Sequence, residues 1–180
     1  MNKRYIPCNL CGSKDYTILF DDELKDNPPK LDYDFSQDSG KTYQIVKCCS
    51  CGLIYTNPMP SLSALYPETV DSAYFKSSKQ RLRTAQVCLA DILKFKEGGN
   101  LLDIGCSTGL FLDAASRHFN VEGIEVSGWA RRLAGQRHKV YSRALSELSL
   151  GKRYDVITLF GVIEHFEDPA KEPSPPPLIA

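Results

Sequence analysis

The sequence predicts an α/β fold in which an incomplete parallel sheet of about four strands, with crossover helices, follows a small β module that carries cysteines. Three observations predict it. From Asn100 onward, apolar strand-like runs alternate with stretches of helical period, the pattern that specifies a parallel sheet. The polar first third of the chain carries C-x-x-C-G twice, at residues 8–12 and 48–52. A length of 180 residues with 42% apolar content suits one ordinary domain, or one smaller domain with a minor appendage.

Lys+Arg and Asp+Glu number 22 each, so the formal net charge is 0 and nothing in the balance calls for a nucleic-acid or anionic-membrane partner. No apolar run approaches the ~20 residues that span a bilayer, and the first residues lack the apolar stretch of an export signal. A soluble, cytoplasmic protein is expected. In that setting the seven cysteines are expected as thiols or metal ligands rather than as a disulfide framework.

Four zones follow one another. Residues 1–60 are too polar for a large core, and their short runs of β-branched and aromatic residues at 16–20, 43–47 and 53–56 read as strands. The acidic stretch 21–40, with its Pro28-Pro29, reads as an exposed loop. Residues 61–99 form a linker and an amphipathic helix over about 78–96, because Leu82, Ala85, Leu89, Ile92 and Leu93 recur at steps of three and four. Gly98 and Gly99 are expected to stop it, and Cys88, on its apolar side, is expected as an inert thiol. Residues 100–168 alternate LLDIG, GLFLDAASRH, VEGIEV, SGWARRLAGQRH, KVYSR and YDVITLF. Residues 169–180 are rich in proline and can continue neither a helix nor a central strand.

Cys8, Cys11, Cys48 and Cys51 are one device used twice: two sulfurs three residues apart with a glycine immediately after. A tight turn can aim both sulfurs of a pair at one ion, and two such turns complete a closed tetrahedral zinc set. Four cysteines leave no open position, so the zinc is expected to be structural. Unligated thiols or a redox pair are the alternative, and the matched pairs weigh against it. Cys49 falls outside the repeated register and reads as a spare thiol.

Residues 101–110, LLDIGCSTGL, describe an apolar strand running into a glycine turn that opens a helix, which places a site at the carboxyl end of the first strand. Gly105 and Gly109 remove Cβ atoms where the backbone bends sharply and passes close to a ligand. Ser107 stands where a dinucleotide-binding turn would have its second glycine, and no Gly-Lys-Ser/Thr follows, so neither phosphate-binding turn is matched. Asp103, just before the turn, would repel a pyrophosphate but would pair with an ammonium group. Glu125 follows Gly105 by about twenty residues, the spacing of a carboxylate that receives two ribose hydroxyls. A nucleoside with a free amino-acid head and no phosphate is implied; S-adenosylmethionine fits.

LLDIGCSTGLFL, then VEGIEVS, then YDVITLFGVIEHFEDP resemble the class I S-adenosylmethionine-dependent methyltransferases, whose fold is Rossmann-like. The preceding CNLCG and KCCSCGLIYTNPMP resemble the subgroup with an N-terminal zinc-binding domain. The resemblance implies that Asp103, Gly105, Cys106 and Gly109 form the cofactor loop, with Glu125 on the ribose, Val126 near the adenine, and Phe160 and Gly161 beside the methionine portion. It further implies methyl transfer to a small-molecule acceptor such as a sugar or secondary metabolite. His165 has two open roles: a base that removes the acceptor's proton, or, with Glu164, a cap on the following helix, which is the favoured reading. His118 and His138 read as solvated or dipole-pairing residues, and Arg131, Arg132 and Arg137 as a solvated face.

Family members complete a seven-stranded sheet, whereas four strands are legible here. In the expected order 3-2-1-4 the fourth becomes an edge, which implies a truncated product or a half completed by a partner chain or oligomer covering that edge. The rival reading is a catalytically inactive cofactor-binding or interaction module with a structural zinc site. A zinc-ribbon nucleic-acid reader is disfavoured by the neutral charge.

Overall fold

The computed structural model of the chain describes residues 3–24, 41–60, 70, 76–142 and 153–166. These fall into two compact units, one within residues 1–65 and one within residues 66–166.

The first unit contains β1 (Lys3–Arg4), β2 (Tyr16–Phe20), β3 (Ile45–Cys48), β4 (Ile54–Thr56) and β5 (Met59–Pro60). β2, β3 and β4 form an antiparallel sheet in that order, and β1 pairs with β5. Alternation along β3 is clear, since Val46 and Cys48 are buried while Lys47 between them is exposed. β3 starts two residues later than its aromatic run suggests and extends through Cys48, because Cys48 pairs opposite Tyr16. The β1–β5 pair is new: two residues per strand carry no periodicity to read. Both C-x-x-C-G segments fold alike. Gly12 N–H donates to Cys8 O at 2.8 Å and Gly52 N–H to Cys48 O at 3.0 Å, with φ of +76° and +78° at the two glycines, which a side chain would strain.

The second unit contains α1 (Ser78–Leu93), β6 (Gly99–Ile104), α2 (Leu110–Ala115), β7 (Phe119–Ile124), α3 (Gly128–Ala134), β8 (Lys139–Tyr141), β9 (Val156–Thr158) and a 3₁₀ turn (Ile163–His165). Its sheet is parallel throughout in the order β8-β7-β6-β9, the expected third-second-first-fourth arrangement, with β9 at an edge among the described residues. β6 is buried on both faces, as a central parallel strand is. Leu101 packs with Ala85 and Leu89 of α1, Phe111 and Leu112 of α2 and Ala134 of α3, while Leu102 packs with Ile104, Ile124 and Tyr154. Leu101, Leu102 and Leu112 are fully buried, each contributing roughly 2 kcal/mol by area. Beneath this second face Glu122 is buried yet satisfied by Tyr154 Oη at 2.5 Å, Tyr141 Oη at 3.0 Å and Lys139 Nζ at 3.3 Å.

Element ends differ from the sequence reading for local reasons. α1 stops at Leu93, before the two glycines, because the N–H groups of Lys94, Phe95 and Lys96 fold back onto Asp91 and Ile92 carbonyls. Gly99 instead opens β6, where its backbone passes against the Asp155 carboxylate, which accepts from Asn100 N at 2.8 Å and Lys96 Nζ at 2.9 Å. α2 ends at Ala115 rather than His118, with Ser116 Oγ donating to the Asp113 carbonyl at 3.0 Å. β7 begins at Phe119, two residues early, in register with Gly99. Residues 25–40 of the expected loop, most of the linker before α1, residues 143–152 and the proline-rich tail lie outside the described residues. No helix of the described residues is long and apolar enough to cross a membrane.

Candidate functional site

β6 delivers the chain to the carboxyl edge of the sheet, where residues 105–109 turn it into α2. Three of these five take left-handed conformations: Gly105 (φ +71°), Ser107 (φ +48°) and Gly109 (φ +84°). Such a turn persists only if it is tied down. Gly105 and Cys106 N–H groups both donate to the Ile124 carbonyl at the end of β7, at 2.8 and 3.0 Å. A Cβ on Gly105 would run into Val162 Cγ2, and one on Gly109 would lie 3.1 Å from Ala134 Cβ. Packing within the domain therefore already demands both glycines. The Cys106 side chain is buried in the core against Gly123, its thiol pushed up by burial and then by the Asp103 and Glu125 charges, so it contributes to the turn through its backbone.

The two acids expected at the cleft are both buried. Asp103 is 4% exposed and accepts a hydrogen bond from Thr158 Oγ1 at 2.7 Å; the two residues are register partners on β6 and β9. Burial, with the Glu125 charge behind it, raises the Asp103 carboxyl from 3.8 to about 7 against the pull of Thr158. The folded chain thus holds a proton that the unfolded chain releases, and stability from this group falls as pH climbs from about 4 through about 7. Asp103→Asn is expected to remove that slope: urea midpoints of the parent should drop more between pH 5 and pH 8 than those of the variant, and parallel profiles would contradict the assignment.

Glu125, 9% exposed, bridges two backbone segments: Oε2 accepts from Ser107 N at 2.8 Å and Oε1 from Ser127 N at 2.7 Å. Burial raises its carboxyl in spite of these bonds. Each oxygen keeps a further lone pair for a ligand hydroxyl. Ser127 caps α3 by accepting from Ala130 N at 3.3 Å. Val126 is 40% exposed beside Glu125, and Phe160 is 48% exposed with its ring edge-on to Phe111 at 5.0 Å. Gly161 (φ +66°) turns the chain after β9, and Glu164 and His165 sit exposed on the 3₁₀ turn beyond it. The helix that this pair is expected to cap lies outside the described residues.

The partners of four residues of this neighbourhood escape sequence reasoning. Thr158 hides in a β-branched run, and only the register with Asp103 reveals it. The His138 side chain is largely buried against Asp113, and Arg137, exposed as expected, is nevertheless paired, because α2 presents the Asp113 carboxylate to both. His138 Nε2 lies 2.6 Å from Asp113 Oδ1 with its side chain 9% exposed, and Arg137 Nε and Nη2 reach the two Asp113 oxygens at 2.9 and 3.1 Å. Arg131 likewise turns inward and donates to the Glu125 carbonyl at 3.3 Å.

In the first unit the sulfurs of Cys8, Cys11, Cys48 and Cys51 lie within 4.8 Å of one another, with Cys8–Cys51 at 3.5 Å and Cys11–Cys48 at 3.6 Å. Cys49 is exposed and lies outside this cluster. The Cys51 N–H helps hold the Cys48 thiol down to about 6 against burial. The Leu53 N–H favours the Cys51 thiolate, but burial and the three neighbouring sulfurs push that thiol to about 12. Four thiolates at this spacing oppose one another's ionisation, a conflict that a bound dication removes. The donor set fits one metal ion with no ligand position left over.

The sequence profile of a methyltransferase domain family matches residues 78–172, more than half of the chain. The chain belongs to this methyltransferase domain family. S-adenosylmethionine is the cofactor that the family implies, and methyltransferases act on acceptor substrates. Among solved structures, the plantazolicin methyltransferase BpumL is similar at 22% identity, covering 60% of this chain and 43% of that one, with a TM-score of 0.45. The sugar N-methyltransferase KedS8 from Streptoalloteichus is similar at 19% identity, covering 52% and 40%, with a TM-score of 0.45. CalS10 from Micromonospora echinaspora, an amino pentose methyltransferase involved in calicheamicin biosynthesis, is similar at 22% identity, covering 52% and 43%, with a TM-score of 0.43. The chain spans about two-fifths of the length of these structures. No curated protein matches it. The matched residues begin at α1 and take in the glycine turn, Asp103, Glu125 and the 3₁₀ turn.

Proposed function

We propose that the second unit binds S-adenosylmethionine at the carboxyl ends of β6 and β7 and serves methyl transfer to a small-molecule acceptor, a sugar or natural product. The observation that carries this reading is the pair of buried acids flanking a turn built without a phosphate-binding signature: Asp103 on one side, Glu125 on the other. When bound, the cofactor supplies a methyl group already activated on a sulfonium, so the protein's task is alignment and, for an oxygen or carbon acceptor, removal of a proton. Glu125, fixed by Ser107 and Ser127, would receive the ribose hydroxyls on its remaining lone pairs. Asp103, fixed by Thr158, would face the ammonium end and favour a cationic ligand over an anionic one. Val126 would border the adenine, and Phe160 and Gly161 the methionine portion. His165, exposed on the turn after β9, would be the imidazole for the acceptor's proton in the less favoured of its two readings, the other being a cap shared with Glu164.

In the first unit we assign the four-cysteine cluster to a structural zinc ion. A second reading is binding of the cofactor without transfer. Titration calorimetry with S-adenosylhomocysteine, run beside transfer of radiolabelled methyl to a panel of amino sugars, separates the two. Binding with transfer is expected, binding alone supports the second reading, and absence of binding ends both.

A further inference from the structure

Glu125 holds only one flank of the glycine turn, at the Ser107 N–H. The other flank is the Thr108 carbonyl, and it accepts from Arg137 Nη2 at 2.8 Å. Arg137 follows α3, 29 positions along the chain from Thr108, and its guanidinium is fixed from three sides. Asp113 takes Nε and Nη2 at 2.9 and 3.1 Å, Leu133 O takes Nη1 at 3.2 Å, and Nη2 is shared with Thr108 O. Asp113 is itself held by His138 Nε2 at 2.6 Å and sits in the first turn of α2, where its own N–H donates to the Gly109 carbonyl at 2.9 Å. Exposed ion pairs are usually weak, but a two-pronged guanidinium–carboxylate pair that also satisfies a backbone carbonyl is the exception. Arg137 Nη2 would lie 3.5 Å from a Cβ on Gly109, so the guanidinium passes along the turn at the residue that opens the helix.

We propose that Arg137, oriented by Asp113 and His138, is a positioning residue for the cofactor turn: through the Thr108 carbonyl it sets the left-handed geometry of Ser107 and Gly109 that ligand binding requires. The inference rests on the cofactor reading for its ligand but not for its mechanism. Ser107 is the sole non-glycine residue with positive φ among the described residues, and its segment is held at one end by a carboxylate and at the other by a guanidinium. Releasing the guanidinium lets Ser107 relax toward ordinary conformations, which misplaces the turn before any ligand arrives. Lysine keeps the charge but lacks the planar fork, so it cannot hold Asp113 on two oxygens and the carbonyl together.

The test uses the full chain and two readouts: S-adenosylhomocysteine affinity by calorimetry, and amide hydrogen exchange of peptides covering residues 105–112. Arg137→Ala is expected to weaken affinity by about tenfold or more and to speed exchange in that peptide while β6 and β7 keep their protection. Arg137→Lys should fall between the parent and the alanine variant. If Arg137→Ala does not fold, Arg137→Lys and Asp113→Asn carry the same comparison. Parent-like affinity and exchange in folded variants would overturn the proposal. A parent chain that binds nothing would sink the cofactor reading, and exchange of the turn alone would then decide for or against the clamp.

Discussion

Cys48→Ser, or removal of zinc by a chelator, is expected to unfold the first unit and to abolish hydrogen-exchange protection across β2, β3 and β4. The first unit has little else to hold it. Among its described residues Ile6, Val46, Cys8 and Cys48 are the buried apolar ones, while Ile18 (52%), Phe20 (64%) and Ile54 (57%) stay exposed. Burying Ile6 and Val46 gives roughly 2 kcal/mol each, whereas ordering each residue's backbone costs about 1–2 kcal/mol. Metal ligation of the order of 10 kcal/mol would supply what that core cannot. The change at Cys48 is severe because it removes one of the four clustered sulfurs, the one 3.6 Å from that of Cys11. Elemental analysis should find about one zinc per chain in the parent and none in the variant. A metal-free parent with full protection of β3 would refute a structural zinc.

Glu125→Ala is expected to abolish measurable cofactor binding, an effect of about a hundredfold or more, because it removes two anchors at once. Ser107 N–H and Ser127 N–H would each lose an acceptor, at roughly 1–3 kcal/mol apiece, and the cleft would lose its hydroxyl acceptor. Glu125→Gln is a sharper test. It preserves volume but turns an NH₂ group toward one of the two N–H donors, so one bond is replaced by a donor–donor contact. Its affinity for S-adenosylhomocysteine should fall nearly as far as that of the alanine variant, whereas Arg132→Ala, on an exposed part of α3, should bind as the parent does. Equal affinities in the glutamine variant and the parent would show that the Glu125 carboxylate is not used.

The order of the sheet is legible because alternation and right-handed crossovers leave few topologies, and β8-β7-β6-β9 is the one they favour. The positions of Asp103, Gly105, Gly109 and Glu125 are legible for the same reason: each stands at a strand end, or for Gly109 at the start of the next helix, whose location follows from a local apolar run. What supports them is not local. Thr158 reaches Asp103 from 55 residues away, through a register that no single segment encodes. Arg137 and His138 look like polar residues after a helix, and only the packing of α2 beside that loop supplies the carboxylate that pairs with both. Element ends were set by side chains competing for the backbone, as with Ser116 at α2, and by close approach of a distant carboxylate, as with Gly99 and Asp155.

The most direct measurement is a crystal structure of the chain grown with S-adenosylhomocysteine. The amino-acid end should lie on the Asp103 side of the glycine turn, both ribose hydroxyls should fall within hydrogen-bond distance of Glu125, and the adenine should border Val126. A nucleoside bound elsewhere on the chain, or a dinucleotide displacing it from this turn with its pyrophosphate on residues 105–109, would contradict the account.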